Sequence, residues 1–246
     1  MRWEERRYPQ LAGIDAQDAV AILPLGAIEA HGPHLPVGSD VWIAEAMARE
    51  GARRLAERGV AAYVLPALAY APSPFGADFP GTLSIRPETL VALLVDLAAS
   101  LAEQGVATLV LVNSHFDPSQ VSAVREASER IRELGRPRVV FPDLTRRRLA
   151  ERLTEEFRSG SCHAGRYESS IVLAERPELV DEEARAALPP LPISLVDAIR
   201  KGRATFAHAG LAEAYCGDPA AASVEEGLAI VATLGEIVAE AVTSEV

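Results

Sequence analysis

The sequence predicts an α/β fold with a mostly parallel central sheet. Four short runs rich in Val, Leu and Ile have the length of buried strands: Val20–Leu25, Ala61–Leu65, Thr108–Val112 and Arg138–Phe141. Helical patterns separate the first three of these runs. Because a helix that connects two parallel strands forms a right-handed crossover, this alternation indicates βαβ units.

Each predicted helix has its own apolar face. The stretch Val41–Arg58 is rich in Ala, Arg and Glu, and Pro87–Gln104 begins with a proline, which suits the first turn of a helix. Apolar residues recur every three or four positions in Pro118–Leu134 and in Val224–Val242. We therefore expect two crossover helices, a third helix after the third strand, and a helix at the C-terminal end.

The remaining segments predict loops within a single domain that spans residues 1–246. Two Pro- and Gly-rich segments, Ala67–Pro80 and Leu188–Phe206, are longer than plain connectors. Long loops of this kind usually line a site or a subunit contact. The sequence shows no internal repeat and no linker-like stretch.

Composition excludes several classes of function. The chain carries 24 Lys+Arg against 35 Asp+Glu, a net charge of -11, and such a surface repels nucleic acid and anionic lipids. We therefore expect neither nucleic acid nor a membrane as partner, and the candidate site described below leads us to expect a small-molecule substrate. No signal-peptide core and no apolar run of about 18 residues is present, which favours a cytoplasmic location. Glycine-rich nucleotide-binding fingerprints are also absent.

Acidic and histidine side chains cluster after the first predicted strand. Glu29, His31 and Asp40 lie in a Gly- and Pro-rich loop that precedes a helix. In an open α/β sheet, ligands bind beyond the carboxyl ends of the strands. Carboxylate oxygens and imidazole nitrogens suit a divalent ion such as Zn²⁺, Mn²⁺ or Fe²⁺. The loop is therefore a candidate metal site, in which we interpret His34 as a hydrogen-bonding residue and not as a ligand.

Two further segments each supply a histidine and an acid. His115 and Asp117 follow the third strand, and His163 and Glu168 precede another short apolar run. Convergence of three such clusters favours one shared metal centre over separate polar loops. Cys162 is interpreted as structural, because adjacent residues of an extended segment point in opposite directions and do not form a thiol–imidazole pair with His163.

These residues resemble the creatininase (creatinine amidohydrolase) family. Its members show a Leu-Pro-x-Gly-x-x-Glu-x-His-Gly-x-His loop that ends in aspartate, which corresponds here to Leu23–His34 and Asp40. Further similar segments, in the same order as in the family, are Phe79–Leu83, Asn113–His115, His163–Ser170, Arg176–Val180, Gly217–Ala220 and Glu226–Gly227. The resemblance covers nearly the whole chain.

The resemblance implies a three-layer αβα fold, often assembled as a homohexamer, with two divalent ions bridged by a carboxylate and a water. Motif positions imply four metal ligands: Glu29, His31, Asp40 and His115. Asp40 would be the bridging carboxylate. The fifth ligand has two candidates, since Asp117 stands where creatinine-cleaving members have a glutamate, and Glu168 lies in the histidine-alanine-glycine segment.

The resemblance also implies the reaction, which is metal-dependent hydrolysis of a non-peptide or small amide C–N bond in a cyclic amide or formamide. His163 is the candidate proton shuttle, because an imidazole titrates near neutral pH, and Glu168 would orient it or bind metal. Creatinine-cleaving members enclose the ring with tryptophans near this segment, whereas only Trp3 and Trp42 are present here, so creatinine itself is not the expected substrate. The alternatives are a peptidase acting on a small peptide in cofactor maturation and a catalytically reduced metal-binding assembly.

Three residues are expected to contact the substrate. Phe116 and Tyr167 would form apolar walls, and Arg166 stands where many relatives carry glutamate. If Arg166 points into the site, it favours a substrate that bears a carboxylate or phosphate. If it points to solvent, it is an ordinary surface arginine. The sequence leaves both orientations open, as it does the metal's identity, the oligomer number and the natural substrate.

Overall fold

The computed structural model describes residues 1–12 and 19–244. Its centre is a parallel sheet of four strands, which are β1 (Val20–Leu25), β2 (Ala62–Val64), β3 (Thr108–Asn113) and β4 (Arg138–Val140). The strand order is β2-β1-β3-β4, and all three neighbouring pairs are parallel. The predicted strands and the parallel sheet are confirmed.

Helices connect the strands and extend beyond the sheet. They are α1 (Tyr8–Ala12), α2 (Ser39–Glu57), α3 (Pro87–Glu103), α4 (Pro118–Glu133), α5 (Arg147–Ala150), α6 (Glu155–Ser159), α7 (Arg166–Glu175), α8 (Glu182–Ala187), α9 (Leu195–Arg200), α10 (Phe206–Ala209) and α11 (Val224–Thr243). Short 3₁₀ turns occur at Pro74–Gly76, Pro177–Leu179 and Pro219–Ala221. The four predicted helices correspond to α2, α3, α4 and α11. Helix α7 forms where the sequence pattern shows only a short apolar run.

Alternating side chains of β1 separate two hydrophobic cores. Val20 and Ile22 face a cluster formed with α2, α7 and α11, whereas Ala21, Leu23 and Leu25 face a cluster formed with α3 and α4. Because successive side chains of a strand point to opposite faces, an entirely apolar strand is one that is buried on both sides. The three-layer αβα arrangement is therefore confirmed.

The C-terminal helix α11 covers one face of this sandwich. Its apolar side, which includes Ile230, Leu234 and Val238, belongs to the same core as α2 and α7. On its polar side, Glu236 pairs with Arg54 of α2 at 3.0 Å. Within the described ranges, neither α11 nor any other helix combines the length and the apolar character needed to cross a bilayer.

Helix α11 approaches α7 very closely at Gly227. A Cβ atom at this position would overlap the backbone carbonyl of Ser170 in α7. Glycine in a helix interior costs about 1 kcal/mol relative to alanine. Its presence here is explained by the close approach of the two helices, and this contact supports the helix that carries Glu168.

We expect Gly227→Ala to lower the free energy of unfolding by about 1–3 kcal/mol, because the added methyl group overpacks the contact between α7 and α11. Helix propensity alone favours the opposite sign. Urea denaturation measures the effect. Ala229→Val, at an exposed position of the same helix, is the control and is expected to lower stability by no more than about 0.7 kcal/mol, which is its cost in helix propensity. Unchanged or raised stability of Gly227→Ala would contradict this contact.

Candidate metal centre

The strand order brings two of the predicted ligand loops together. β1 and β3 are neighbours and pair along their whole length, from Val20 beside Thr108 to Leu25 beside Asn113. Their carboxyl ends therefore open at the same edge of the sheet, where ligands bind in folds of this type. The loop that leaves β1 carries the first acid-and-histidine cluster, and the loop that leaves β3 carries the second.

Two groups of three potential ligands share one carboxylate. Glu29, Asp40 and His115 form the first group and His31, Asp40 and Glu168 the second, with the ligand atoms of each group within 4.8 Å of one another. Asp40 Oδ2 lies 3.0 Å from His115 Nδ1, and Asp40 Oδ1 lies 3.4 Å from His31 Nε2. Metal bonds of about 2.0–2.2 Å at tetrahedral angles place ligand atoms roughly 3.3–3.6 Å apart. The two oxygens of Asp40 thus face the two different groups of potential ligands.

The other ligand distances have the same scale. Glu29 Oε1 lies 3.2 Å from His115 Nδ1, and Glu168 Oε2 lies 3.6 Å from His31 Nε2. All five side chains are buried. While the imidazoles are neutral, three atoms of these side chains have no hydrogen-bond partner in the part of the chain that the structure describes: Glu29 Oε2, His31 Nε2 and Asp40 Oδ2. Because an unpartnered buried polar atom is costly, these residues fit a pair of bound cations.

Backbone carbonyls fix which nitrogen of each imidazole faces the carboxylates. His31 Nδ1 lies 3.0 Å from the carbonyl oxygen of Glu29, and His115 Nε2 lies 3.1 Å from that of Pro72. Since a carbonyl only accepts hydrogen bonds, these nitrogens hold the hydrogen in the neutral rings, and the opposite nitrogens present lone pairs toward Asp40. A lone pair beside a carboxylate is repulsive until a cation lies between them.

The pKa values show the same demand for positive charge. Burial lowers the pKa of His31, but Asp40, Glu168 and Glu29 outweigh it and raise that pKa to about 10. Burial also lowers the pKa of His115, but Glu29 and Asp40 outweigh this effect, so that the pKa lies well above its ordinary value. Burial raises the pKa of Glu168 to about 8. Without cations, protons on the imidazoles balance the buried carboxylates, and divalent ions supply the same charge.

His163 lies beside the cluster and lines the cavity. Its Nε2 donates to the carbonyl oxygen of Ala30 at 2.9 Å, so that Nδ1 carries the lone pair, 3.8 Å from Glu29 Oε1. The ring stacks on Phe206 with centroids 4.2 Å apart. Burial and the neighbouring His31 hold the pKa of His163 well below its ordinary value, so the ring is neutral. Its free nitrogen is placed to accept a proton or to bind a cation with Glu29 and His31.

The fifth ligand has two candidates, Glu168 and Asp117. Among the described residues, Glu168 belongs to one of the groups of potential ligands, whereas Asp117 belongs to none. Glu168 lies in the first turn of α7, and its Oε2 accepts from the backbone N–H of Ala164 at 2.7 Å. Asp117 instead caps α4. Its Oδ1 accepts from Ser119 N at 2.7 Å, and its Oδ2 accepts from Phe75 N at 3.1 Å. Both Asp117 oxygens are thus engaged by backbone donors, which favours Glu168 over Asp117 as the fifth ligand.

Two of the three expected substrate contacts lie away from the cavity. Arg166 is exposed and pairs with Glu226 at 2.5 Å, which settles its orientation toward solvent. Tyr167 is buried in the core, with its ring centroid 4.9 Å from that of Phe157. The cause is helical geometry, because successive side chains of α7 rotate by about 100°. When Glu168 faces the cluster, its two predecessors point elsewhere.

A cavity of about 570 Å³ opens onto the cluster. Its apolar walls include four phenylalanines: Phe75, Phe116, Phe157 and Phe206. Phe116 thus lies where the sequence places it, against the cavity. Phe75 and Phe206 come from the two long Pro- and Gly-rich segments, whereas nothing in the sequence marks Phe157. Exposed arginines at the mouth are Arg147, Arg158 and Arg200.

Known proteins with a similar sequence identify the family of this chain. The profile of the Creatininase family, described as creatinine amidohydrolase, matches residues 4–242. The chain belongs to the creatininase family. A mycofactocin precursor peptide peptidase of Mycobacterium tuberculosis is 34% identical over 220 residues, which cover 87% of this chain and 80% of that protein. A creatinine amidohydrolase of Pseudomonas putida is 32% identical over 220 residues, which cover 81% of each chain.

Solved creatininase structures superimpose on nearly the whole chain. One described as creatininase Mn has a TM-score of 0.71 and 28% identity, covering 98% of this chain and 96% of that chain. A creatininase variant described as Zn-Zn type has a TM-score of 0.71 and 27% identity, with the same coverage. As a creatininase-family amidohydrolase, the chain is a metal-dependent hydrolase that acts on C–N bonds.

We expect Asp40→Asn to lower the bound metal from two ions per chain to none, because both ligand groups lose their shared carboxylate. His115→Ala, which belongs to one of these two groups, is expected to lose one ion. Elemental analysis of the dialysed protein measures both losses. His208→Ala, an exposed histidine of α10, is the control and keeps both ions. Retention of both ions by Asp40→Asn would rule out a shared carboxylate.

A second pair of variants separates the candidates for the fifth ligand. Glu168→Gln is expected to weaken the affinity for one of the two ions. The loss should exceed the roughly 10–100-fold decrease in affinity that removal of an outer-shell partner causes. Asp117→Asn should keep both ions, since asparagine still caps α4 by accepting from Ser119 N. Calorimetric titration of metal into metal-free protein measures the affinities. The reverse pattern would make Asp117 the ligand.

Proposed function

We propose that this chain hydrolyses an amide C–N bond in a small substrate with an apolar body. Two divalent ions, Zn²⁺, Mn²⁺ or Fe²⁺, are held by five ligands: Glu29, His31, Asp40, His115 and Glu168. The observation that carries the proposal is the position of the Asp40 carboxylate between two buried ligand groups. Ions bound there supply an activated water and an electrophile for the scissile carbonyl.

His163 provides the proton transfer that amide cleavage needs. Its Nε2 is committed to the Ala30 carbonyl, which leaves the lone pair of Nδ1 beside the ligand cluster at the cavity. A neutral imidazole in this position takes a proton as water attacks and returns it to the departing nitrogen. The stacked ring of Phe206 restricts rotation of the imidazole and keeps Nδ1 oriented.

The cavity indicates the size and chemistry of the substrate. Its volume of about 570 Å³ lies within the range of roughly 300–1,000 Å³ that is typical of pockets for drug-sized ligands. Neither Trp3 nor Trp42 lines it. At the mouth, the guanidinium of Arg158 donates to the carbonyl oxygens of Glu151 and Leu153 and pairs with no carboxylate in the described part of the chain. Its charge is therefore available to an anionic group of the substrate.

These features favour a short peptide or N-acyl compound with an aromatic or branched aliphatic group. Relatedness to a mycofactocin precursor peptide peptidase supports the peptide. A cyclic amide is the second candidate, which the similarity to creatinine amidohydrolase supports. The family resemblance further supports a homo-oligomeric assembly.

The test is whether the metal-loaded protein hydrolyses three compounds: a short peptide with a C-terminal aromatic residue, an N-formyl aromatic amine, and creatinine. We expect turnover of the peptide to exceed that of creatinine, to vanish after dialysis against a chelator, and to return with added Zn²⁺ or Mn²⁺. His163→Ala should lower kcat by about 10²–10⁴-fold while the bound metal stays unchanged.

Each contrary result has a distinct meaning. Two bound ions without hydrolysis of any compound would support the catalytically reduced assembly. Loss of an ion in His163→Ala would make this residue a ligand and remove it from the proton-transfer role. Creatinine as the preferred substrate would overturn the assignment of an extended apolar substrate.

A further inference from the structure

Helix α7 carries Glu168, yet it begins without a side-chain cap of its own. Gly165 occupies the N-cap position and offers no side chain to the first turn. A helix start leaves backbone N–H groups unsatisfied, and burial makes each of them costly. The start of α7 is buried, since the exposed fractions of Tyr167 and Glu168 are 1% and 3%.

Glu156 of α6 supplies the missing acceptor. Its Oε1 accepts from Tyr167 N at 2.8 Å, and its Oε2 accepts from Asp218 N at 2.7 Å. A single carboxylate therefore joins α6, the first turn of α7 and the segment before the 3₁₀ turn Pro219–Ala221. Its negative charge also suits the positive end of the helix dipole.

Two glycines enclose this carboxylate. A Cβ atom at Gly165 would lie 2.6 Å from Glu156 Oε1, and a Cβ atom at Gly217 would overlap Glu156 Oε2. Larger residues at either position would displace the carboxylate from the N–H groups that it binds. Both glycines belong to segments that resemble the creatininase family. The half-buried carboxylate between them, the Cys216 carbonyl oxygen 2.5 Å from a Cβ at Gly165, and the φ of 94° at Gly217 give physical reasons for their presence.

The turn that precedes α7 depends on such support. Ala164 has a φ of 48°, in the left-handed region that costs a residue other than glycine of order 1–3 kcal/mol. This conformation turns the N–H of Ala164 toward Glu168 Oε2, which it meets at 2.7 Å. The turn is tied to the chain on one side by the hydrogen bond from Cys216 N to His163 O at 2.8 Å. Glu156 fixes its other side through the start of α7.

We propose that Glu156 is a positioning residue of the metal centre, which holds the first turn of α7 so that Glu168 stays in register with His31 and Asp40. Among the described residues its carboxylate has no hydrogen bond to the proposed ligand side chains, and it acts through the backbone of α7. The inference rests on the proposed function, because it requires Glu168 to bind one of two ions.

Glu156→Gln tests this role, because it keeps the shape of the side chain but sets an NH₂ donor against one of the two backbone N–H groups. Calorimetric titration with Zn²⁺ is expected to show an affinity about 10–100-fold weaker for one ion and unchanged for the other. At limiting Zn²⁺ kcat falls with KM unchanged, and excess Zn²⁺ restores kcat. Glu155→Gln, the exposed neighbour in α6, is the matched control and retains wild-type affinities.

The outcomes separate this inference from the proposed function. A wild-type chain that binds fewer than two ions would refute the function itself. If the wild type binds two ions and Glu156→Gln binds both with unchanged affinity, the function stands and the positioning role fails. If Glu156→Gln binds both ions with equally reduced affinity and has a lower melting temperature, Glu156 has a general structural role and the inference is also overturned.

A second variant keeps the test decisive if Glu156→Gln does not fold. Glu156→Asp keeps the charge and both acceptor oxygens but retracts the carboxylate by one methylene group. We expect the affinity for the same ion to fall, but by less than in Glu156→Gln. Unchanged affinity for both ions in Glu156→Asp would count against the role of Glu156 in placing Glu168.

Discussion

A carboxylate buried between two histidines requires positive charge on both of its sides, and the site depends on this requirement. Asp40 is almost completely buried, and an uncompensated buried charge costs several kcal/mol. The neighbouring carboxylates raise the pKa of both His31 and His115, which favours protons on these rings in the absence of metal, and the proposed divalent ions would supply the same charge. The strand order, the loop after β1 and the start of α7 all act by bringing ligands to this one side chain.

The sheet and the positions of four of the proposed metal ligands are predictable because their causes are local. Each strand is a continuous apolar run, as burial on both faces demands, and such runs are visible without knowledge of the fold. The convergence of Glu29 and His31 with His115 follows from one further assumption, that the carboxyl ends of parallel strands share an edge. The adjacency of β1 and β3 fulfils it.

Other features depend on distances that a sequence does not contain. The orientation of Arg166 and Tyr167 is set by the residue at which α7 begins, and a four-residue apolar run does not reveal the phase of a helix. Whether Asp117 is free to bind metal depends on the backbone N–H of Phe75, which donates to its carboxylate from a distant part of the chain. Glu156 has no sequence signal, because its partners are backbone N–H groups that nearly every residue possesses.

The imidazoles of the centre are oriented by main-chain oxygens, and this has an evolutionary consequence. Such oxygens contact all three rings, those of His31, His115 and His163. Substituting Ala30 or Pro72 alters a side chain but retains the main-chain carbonyl, so no single amino-acid substitution removes these partners. Descendants of this chain are thus free to remodel residues around the rings for new amides, while the ring tautomers are inherited with the backbone.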